Sequence, residues 1–276
     1  DATDIVDAQG DAAPLGSGLT PLYLTYRHYP VNDPKVAGAY GEWKDYNAYS
    51  DFISSEGVPV FYARVDHVSV PLAQEGTGQV VVDFTPEPLT QDVSFVFHIE
   101  KTADVVVDSL TAEISGIPST MELTTGLILA QKTYKLLFRP TYAALPSAAD
   151  SASAETLRCE ASVNIPGIVR SHTEDMVTGP GILQIAIYTH YDYEEEGTQR
   201  KAAKVFHAGI NLYHTLKERK SLQWDEEENG YRQASRSITV EIGSPLNIDK
   251  DGILNGGSTS TGLDQWIPGE TFEIEV

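Results

Sequence analysis

Cysteine occurs once in 276 residues, at position 159, so no disulfide can form within the chain. That economy suits a cytosolic protein and many exported ones alike. Apolar residues nowhere run to the about 20 that a membrane-spanning helix needs, and the mean hydropathy is negative. Basic residues are scarce: 19 Lys and Arg stand against 40 Asp and Glu, a net charge of −21, and none precedes Arg27. A surface of that sign repels phosphate, which argues against nucleic-acid binding. There is no Gly-x-Ser-x-Gly elbow, no His-Glu-x-x-His pair, no P-loop and no dinucleotide fingerprint. No catalytic residue is assigned, no cofactor is expected, and the chain is read as a non-enzyme.

What is present is short-range alternation punctuated by 22 Gly and 15 Pro. Residues 272–276 read Phe-Glu-Ile-Glu-Val, a strict period of two that predicts a half-buried strand at the end of the sequence. Such a strand either closes a sandwich or is exchanged with a neighbour, which makes Phe272, Ile274 and Val276 candidate strand-exchange residues. Val93, Phe95, Phe97 and Ile99 alternate in the same way, and Val106, Leu110, Ala112 and Ile114 share one parity of the next strand. Thr102-Ala103-Asp104 is read as the short connection of an antiparallel meander or Greek-key piece that Gly116-Ile117-Pro118 brings to an end. Further strands are expected at 22–27, 134–139, 157–165, 183–187 and 238–242. Asn229-Gly230 is a hairpin signal.

Two stretches carry helical spacing. One is 31–57, where Trp43, Tyr46, Tyr49 and Ile53 recur, read as a short helix or an ordered loop; the other is 211–220. The expected architecture is therefore all-β: two antiparallel β-sandwich domains in tandem with one or two short helices. Residues 1–19, rich in Asp, Ala and Gly, are expected to be a flexible tether. Residues 20–128 would form the first sandwich and 129–276 the second, with 121–129 crossing the junction.

Few residues suggest chemistry. Cys159 lies in Leu-Arg-Cys-Glu-Ala, a strand context that makes it a small buried hydrophobe. His98 and His190 sit opposite the main apolar parity of their strands and are expected to face outward. Residues 247–255, Asn-Ile-Asp-Lys-Asp-Gly-Ile-Leu-Asn, resemble the start of a calcium loop, because a hard cation wants oxygens at alternate positions followed by a tight turn. The twelfth position is Ser258 rather than Glu, and Asp-x-Asp-Gly is also an ordinary turn, so the loop stays open between the two readings. Glu194–Glu196 and Asp225–Glu228 are read as solvated loop tips. Trp43, Tyr46 and Tyr49, with Phe52, make either a platform on which a sugar stacks or a wedge in the core.

Two segments carry a family resemblance. One runs from Leu110 to Gly126, Leu-Thr-Ala-Glu-Ile-Ser-Gly-Ile-Pro-Ser-Thr-Met-Glu-Leu-Thr-Thr-Gly. The other holds Gly256-Gly257, then Leu263-Asp264-Gln265-Trp266, then the closing alternation through Val276. Together they resemble the fimbrillin-like surface proteins of anaerobic Gram-negative bacteria, which include pilus subunits, tip adhesins and minor-fimbrium anchor lipoproteins. The resemblance implies transthyretin-like sandwiches, a lipoprotein export signal and display at the outer membrane. It also implies partners among other fimbrial subunits or host and bacterial surface ligands, with membrane contact only through a lipid anchor. The sequence starts at Asp1, which is read as a mature or trimmed start. The first site for cleavage after Arg is Arg27, inside the first expected strand, so an anchor, tip or accessory role suits the chain better than that of a main pilin. The alternative is a glycan-binding outer-membrane lipoprotein using Trp43, Tyr46 and Tyr49.

Overall fold

The structure, a computed structural model, describes residues 3–6, 21–29, 52–53, 59–63, 65, 81–146, 154–168, 181–219, 223–225, 230–232, 236–254 and 266–274. Nearly all of these are extended, as the alternation predicts. The long strands are β7 (Gln91–Thr102), β8 (Val105–Glu122), β9 (Ile128–Phe138), β11 (Ala154–Ile165), β12 (Ile182–Glu195) and β13 (Thr198–Asn211). Before them come β1 (Thr3–Val6), β2 (Tyr23–Tyr26), β3 (His28–Tyr29), β4 (Phe52–Ile53), β5 (Phe61–Tyr62) and β6 (Glu87–Pro88). Between and after them lie β10 (Thr141–Ala144), β14 (Gln223–Asp225), β15 (Gly230–Arg232), β16 (Ser237–Glu241), β17 (Leu246–Ile248) and β18 (Ile267–Ile274). The six-residue helix α1 (Tyr213–Glu218) falls inside the helical stretch expected at 211–220.

The strands form two main sheets. The larger has eleven strands along the path β14-β15-β9-β8-β12-β13-β18, with β1–β2 joined to β8 and β3–β4 joined to β9. The smaller has five, in the order β10-β11-β7-β16, with β17 also paired to β7. The two face each other across one buried core, a sandwich-like arrangement. Phe95 of β7 stacks on Phe138 of β9 with ring centroids 5.5 Å apart, and Phe97 meets Trp266 edge-on at 5.8 Å. Aromatic pairs at these separations add to what burial alone contributes. At one end Tyr142 of β10 donates its hydroxyl to the carbonyls of Val107 and Asp108, 2.7 and 3.2 Å away, tying the smaller sheet to the larger.

Several expectations change once the pairing is known. Residues 1–19 are not all tether, because Thr3–Val6 pair antiparallel with Tyr23–Tyr26, where main-chain hydrogen bonds hold them. Thr102-Ala103-Asp104 does not join paired strands: β7 belongs to the smaller sheet and β8 to the larger, so the chain crosses the core there. Nor do Gly116 and Pro118 end a strand. β8 runs through them, and the ladder with β9 shifts register between Ser115 and Ile117 and again between Pro118 and Thr120. These bulges absorb a glycine at φ 85° and a proline that has no N–H for the ladder.

The expected division at 128/129 falls inside this body. Met121 and Ile128 face each other in the β8–β9 hairpin, whose turn is closed by Gly126 N–H to Glu122 O at 2.8 Å. Both sheets take strands from each side of that position. β16 adds to β7 in parallel, so a strand late in sequence completes a sheet begun early. Residue alternation reports which face is apolar but says nothing about which strand lies alongside.

Of the short helix or ordered loop expected at 31–57, the described part is β4, where Phe52 is 1 % exposed and pairs with Tyr29 and Lys135. Among the described residues no helix is long and apolar enough to cross a membrane.

Candidate functional site

The terminal strand is the first candidate. β18 is the edge of the larger sheet and pairs antiparallel with β13: Ile274 opposite Ala203, Phe272 opposite Val205 and Ile267 opposite Gly209. The ladder shifts register between Phe206 and Ala208, near Pro268. A bulge and a proline are both ways of blunting a sheet edge. Val205 and Ala203 lie on the opposite face of β13 from Phe206, which faces Ile187 and the core. Trp266 fastens the start of the strand: it is 4 % exposed, packs on Phe97, and donates Nε1–H to Ser244 O at 2.9 Å. The strand is thus pinned at one end and, among the described residues, held along its length by β13 alone. Phe272 and Ile274 lie in it, and Val276 lies outside the described residues, as do Trp43, Tyr46 and Tyr49.

Of the loop at 247–255, residues 247–254 are described and form a closed turn. Asp249 Oδ1 accepts the backbone N–H groups of Asp251 and Gly252 at 2.8 and 2.9 Å, and Asp249 N–H returns to Gly252 O at 3.0 Å. Both carboxylate oxygens of Asp251 take the Lys250 ammonium at 3.0 Å. That hydrogen bond, with the attraction of the same carboxylate, holds Lys250 above the ordinary lysine range. Lys204 adds a second cation, donating to Lys250 O at 3.0 Å. Asp249 Oδ1 and both Asp251 carboxylate oxygens are thus engaged by donors of the turn itself. Among the described residues no three His, Cys, Asp or Glu side chains converge on a point that could hold a metal.

Cys159 is fully buried and free. Burial pushes its thiol up to about 12, so the nucleophilic thiolate is absent at neutral pH. His190 faces away from the core as expected, with Nδ1 2.8 and 2.9 Å from the two Asp108 carboxylate oxygens. Glu194–Glu196 form the exposed tip of the β12–β13 hairpin, where Glu196 and Gly197 at φ 51° and 77° make the two-residue turn that right-twisted strands favour.

The outward face of the smaller sheet holds a feature that residue patterns did not single out. An open groove of about 480 Å³ lies over β7 and β11 and reaches β10 and β16. Register builds it. Ser94 pairs across the strands with Ser162 on one side and Thr239 on the other, while Val96 pairs with Glu160, which pairs with Thr141. Ser94 Oγ lies 3.3 Å from Ser162 Oγ. Arg158 is ion-paired with Glu160 two residues along the same face. Arg139, where the chain leaves the larger sheet for the smaller, closes the groove at its β10 side. Its guanidinium also lowers the pKa of Tyr188, opposing the larger upward effect of that ring's burial. The sequence signal was only the polar half of each alternation, ordinary in any half-exposed strand. Which polar residues share a row depends on the order of strands.

No family model matches the chain, and no curated protein matches it. Among solved structures it is similar to the crystal structure of a candidate adhesin from Bacteroides ovatus, at 10% identity and a TM-score of 0.31, over 84% of this chain and 75% of that one. A likeness so distant carries no argument about function.

Proposed function

We propose that the chain is a non-catalytic cell-surface protein of adhesive or fimbrial-accessory type, built on transthyretin-like sandwich architecture. It would be exported as a lipoprotein and displayed at the outer membrane. Its partners would be other fimbrial subunits or surface ligands. The observation that carries the reading is strand β18: alternating in sequence, placed at a sheet edge, and paired among the described residues with β13 only. A strand held by one neighbour is the kind of element that strand addition exchanges between chains, since the donated main chain supplies the hydrogen bonds.

The test is truncation after Gly269. Mixed with the pilins of its own bacterium, the intact chain should co-elute with them on size exclusion, and the truncated chain should not. Circular dichroism establishes that the truncated chain is folded. A folded intact chain that remains monomeric, or a truncated one that assembles equally well, overturns the assembly role. Display is tested separately by reading the encoded residues upstream of Asp1. A hydrophobic signal followed closely by cysteine supports lipid anchoring; a plain initiator Met overturns it.

A further inference from the structure

We propose that the groove on the outward face of the smaller sheet binds an acidic oligosaccharide, with Arg139 as the anchor for its carboxylate. Shape comes first. At about 480 Å³ the groove is within the about 300–1,000 Å³ typical of small-ligand sites. Its floor is made by interior strands whose backbone groups are committed to β10, β11, β7 and β16. Over β7 and β11 recognition therefore falls to side chains.

Those side chains have the character that a sugar requires. Ser94, Ser162 and Thr239 form one hydroxyl row across three strands, with Thr141 beside them. Each hydroxyl can donate or accept, matching the dual role of a sugar hydroxyl. The Arg158–Glu160 pair places a planar donor fork next to a planar acceptor fork, and Thr141 Oγ1 leans on Glu160 O at 3.4 Å. The apolar contribution is small: among the described residues lining the groove, Val96 is 8 % exposed and the one aromatic, Phe95, is fully buried. Flat apolar ligands and nucleobases find nothing to stack on.

Charge selects the class of sugar. In a chain of net charge −21, acidic groups outnumber basic ones two to one, yet exposed Arg139 has no ion pair among the described residues. Arg158 already has Glu160, so Arg139 is the cation left to meet a ligand carboxylate, and the guanidinium fork suits that group in two-bond geometry.

This inference deepens the adhesive reading, resting on it only for where the sugar is displayed. The experiment is a printed array of sialylated and uronate-bearing glycans beside their neutral counterparts, probed with the full chain. Binding should be confined to the carboxylated glycans. Arg139→Ala should weaken it about tenfold or more, the scale of one lost charge-assisted pair. Arg200→Ala, an equal charge change on the distant β12–β13 hairpin, should leave it intact. Circular dichroism confirms that both variants are folded. Absence of binding to every carboxylated glycan overturns the proposal, as does equal binding to the neutral ones or full retention by Arg139→Ala. Glycan failure with intact pilin assembly sinks the groove alone. Glycan binding in a chain that neither assembles nor reaches the surface sinks the adhesive reading alone.

Discussion

The two sheets treat the polar residues of their outward faces in opposite ways. On the larger sheet Glu113 and Lys135 form an ion pair at 2.9 Å with side chains 2 % and 3 % exposed, and Thr111 and His207 are buried on the same face. On the smaller sheet Arg158 and Glu160 form an ion pair with side chains 47 % and 46 % exposed, beside an open groove. In sequence the four charged residues look alike, each occupying the polar half of a strand. The contrast teaches that alternation marks one face as apolar and leaves the other unspecified. A polar residue there can be solvated and adaptable, or locked and dry.

Breaking the comparison at its strongest point has the largest effect. Lys135→Met leaves Glu113 buried without its cation and should cost about 3–5 kcal/mol in urea unfolding. The double variant Glu113→Leu with Lys135→Met should recover most of that loss. A single-variant cost below about 1 kcal/mol would mean that the larger sheet's outer face behaves like a surface, and the contrast would disappear.

Both sheets are parts of one body, connected where β7 passes to β8 and β9 to β10, and the β8–β9 hairpin at residue 128 lies within the larger sheet. Gly126 sits there at φ +73°, and a Cβ on it would approach Tyr62 Oη to 2.9 Å. Gly126→Ala should therefore cost about 1–3 kcal/mol through backbone strain alone. A thermal melt with separate transitions for the two sheets would show that they are distinct units.

Between the faces lies the core, where the Tyr26 hydroxyl is fully buried and has no hydrogen-bond partner among the described residues. Burial raises its pKa, with the Asp92 carboxylate adding to the effect. Tyr26→Phe removes an unsatisfied group and should stabilise the protein by about 1 kcal/mol. A loss of similar size would reveal an ordered partner for that oxygen. The smallest effect belongs to the open face: Arg158→Ala should change stability by less than about 1 kcal/mol, as exposed pairs do. A larger loss would place Arg158 in the fold's own stability and remove it from the set available to a ligand.

Much of the local structure was legible. The parity of Val93 to Ile99 gave the buried side of β7, and Leu183 to Ile187 that of β12. The burial of Cys159 and the exposed tip at Glu194–Glu196 followed from short-range context. Less legible was the run through Gly116 and Pro118, because bulges let a strand carry both residues. The acidic turn at Asp249–Gly252 could not be told from a calcium loop by residue type, since the same oxygens serve a cation or the backbone. The groove had no sequence signature, being assembled from β7, β11 and β16 across separations of 68 residues for Ser94 and Ser162 and more for Thr239.

By itself the amino-acid sequence determined an all-β chain, its apolar faces, its acidic surface and the absence of any disulfide, because these depend on composition and on contacts between near neighbours. Only the tertiary structure decided that β7 and β8 lie in opposite sheets, that β16 completes the smaller sheet in parallel, and that one polar face is dry and the other open. Strand partnership is settled by how the whole set of apolar faces can be buried at once, a condition that no single strand carries in its own residues.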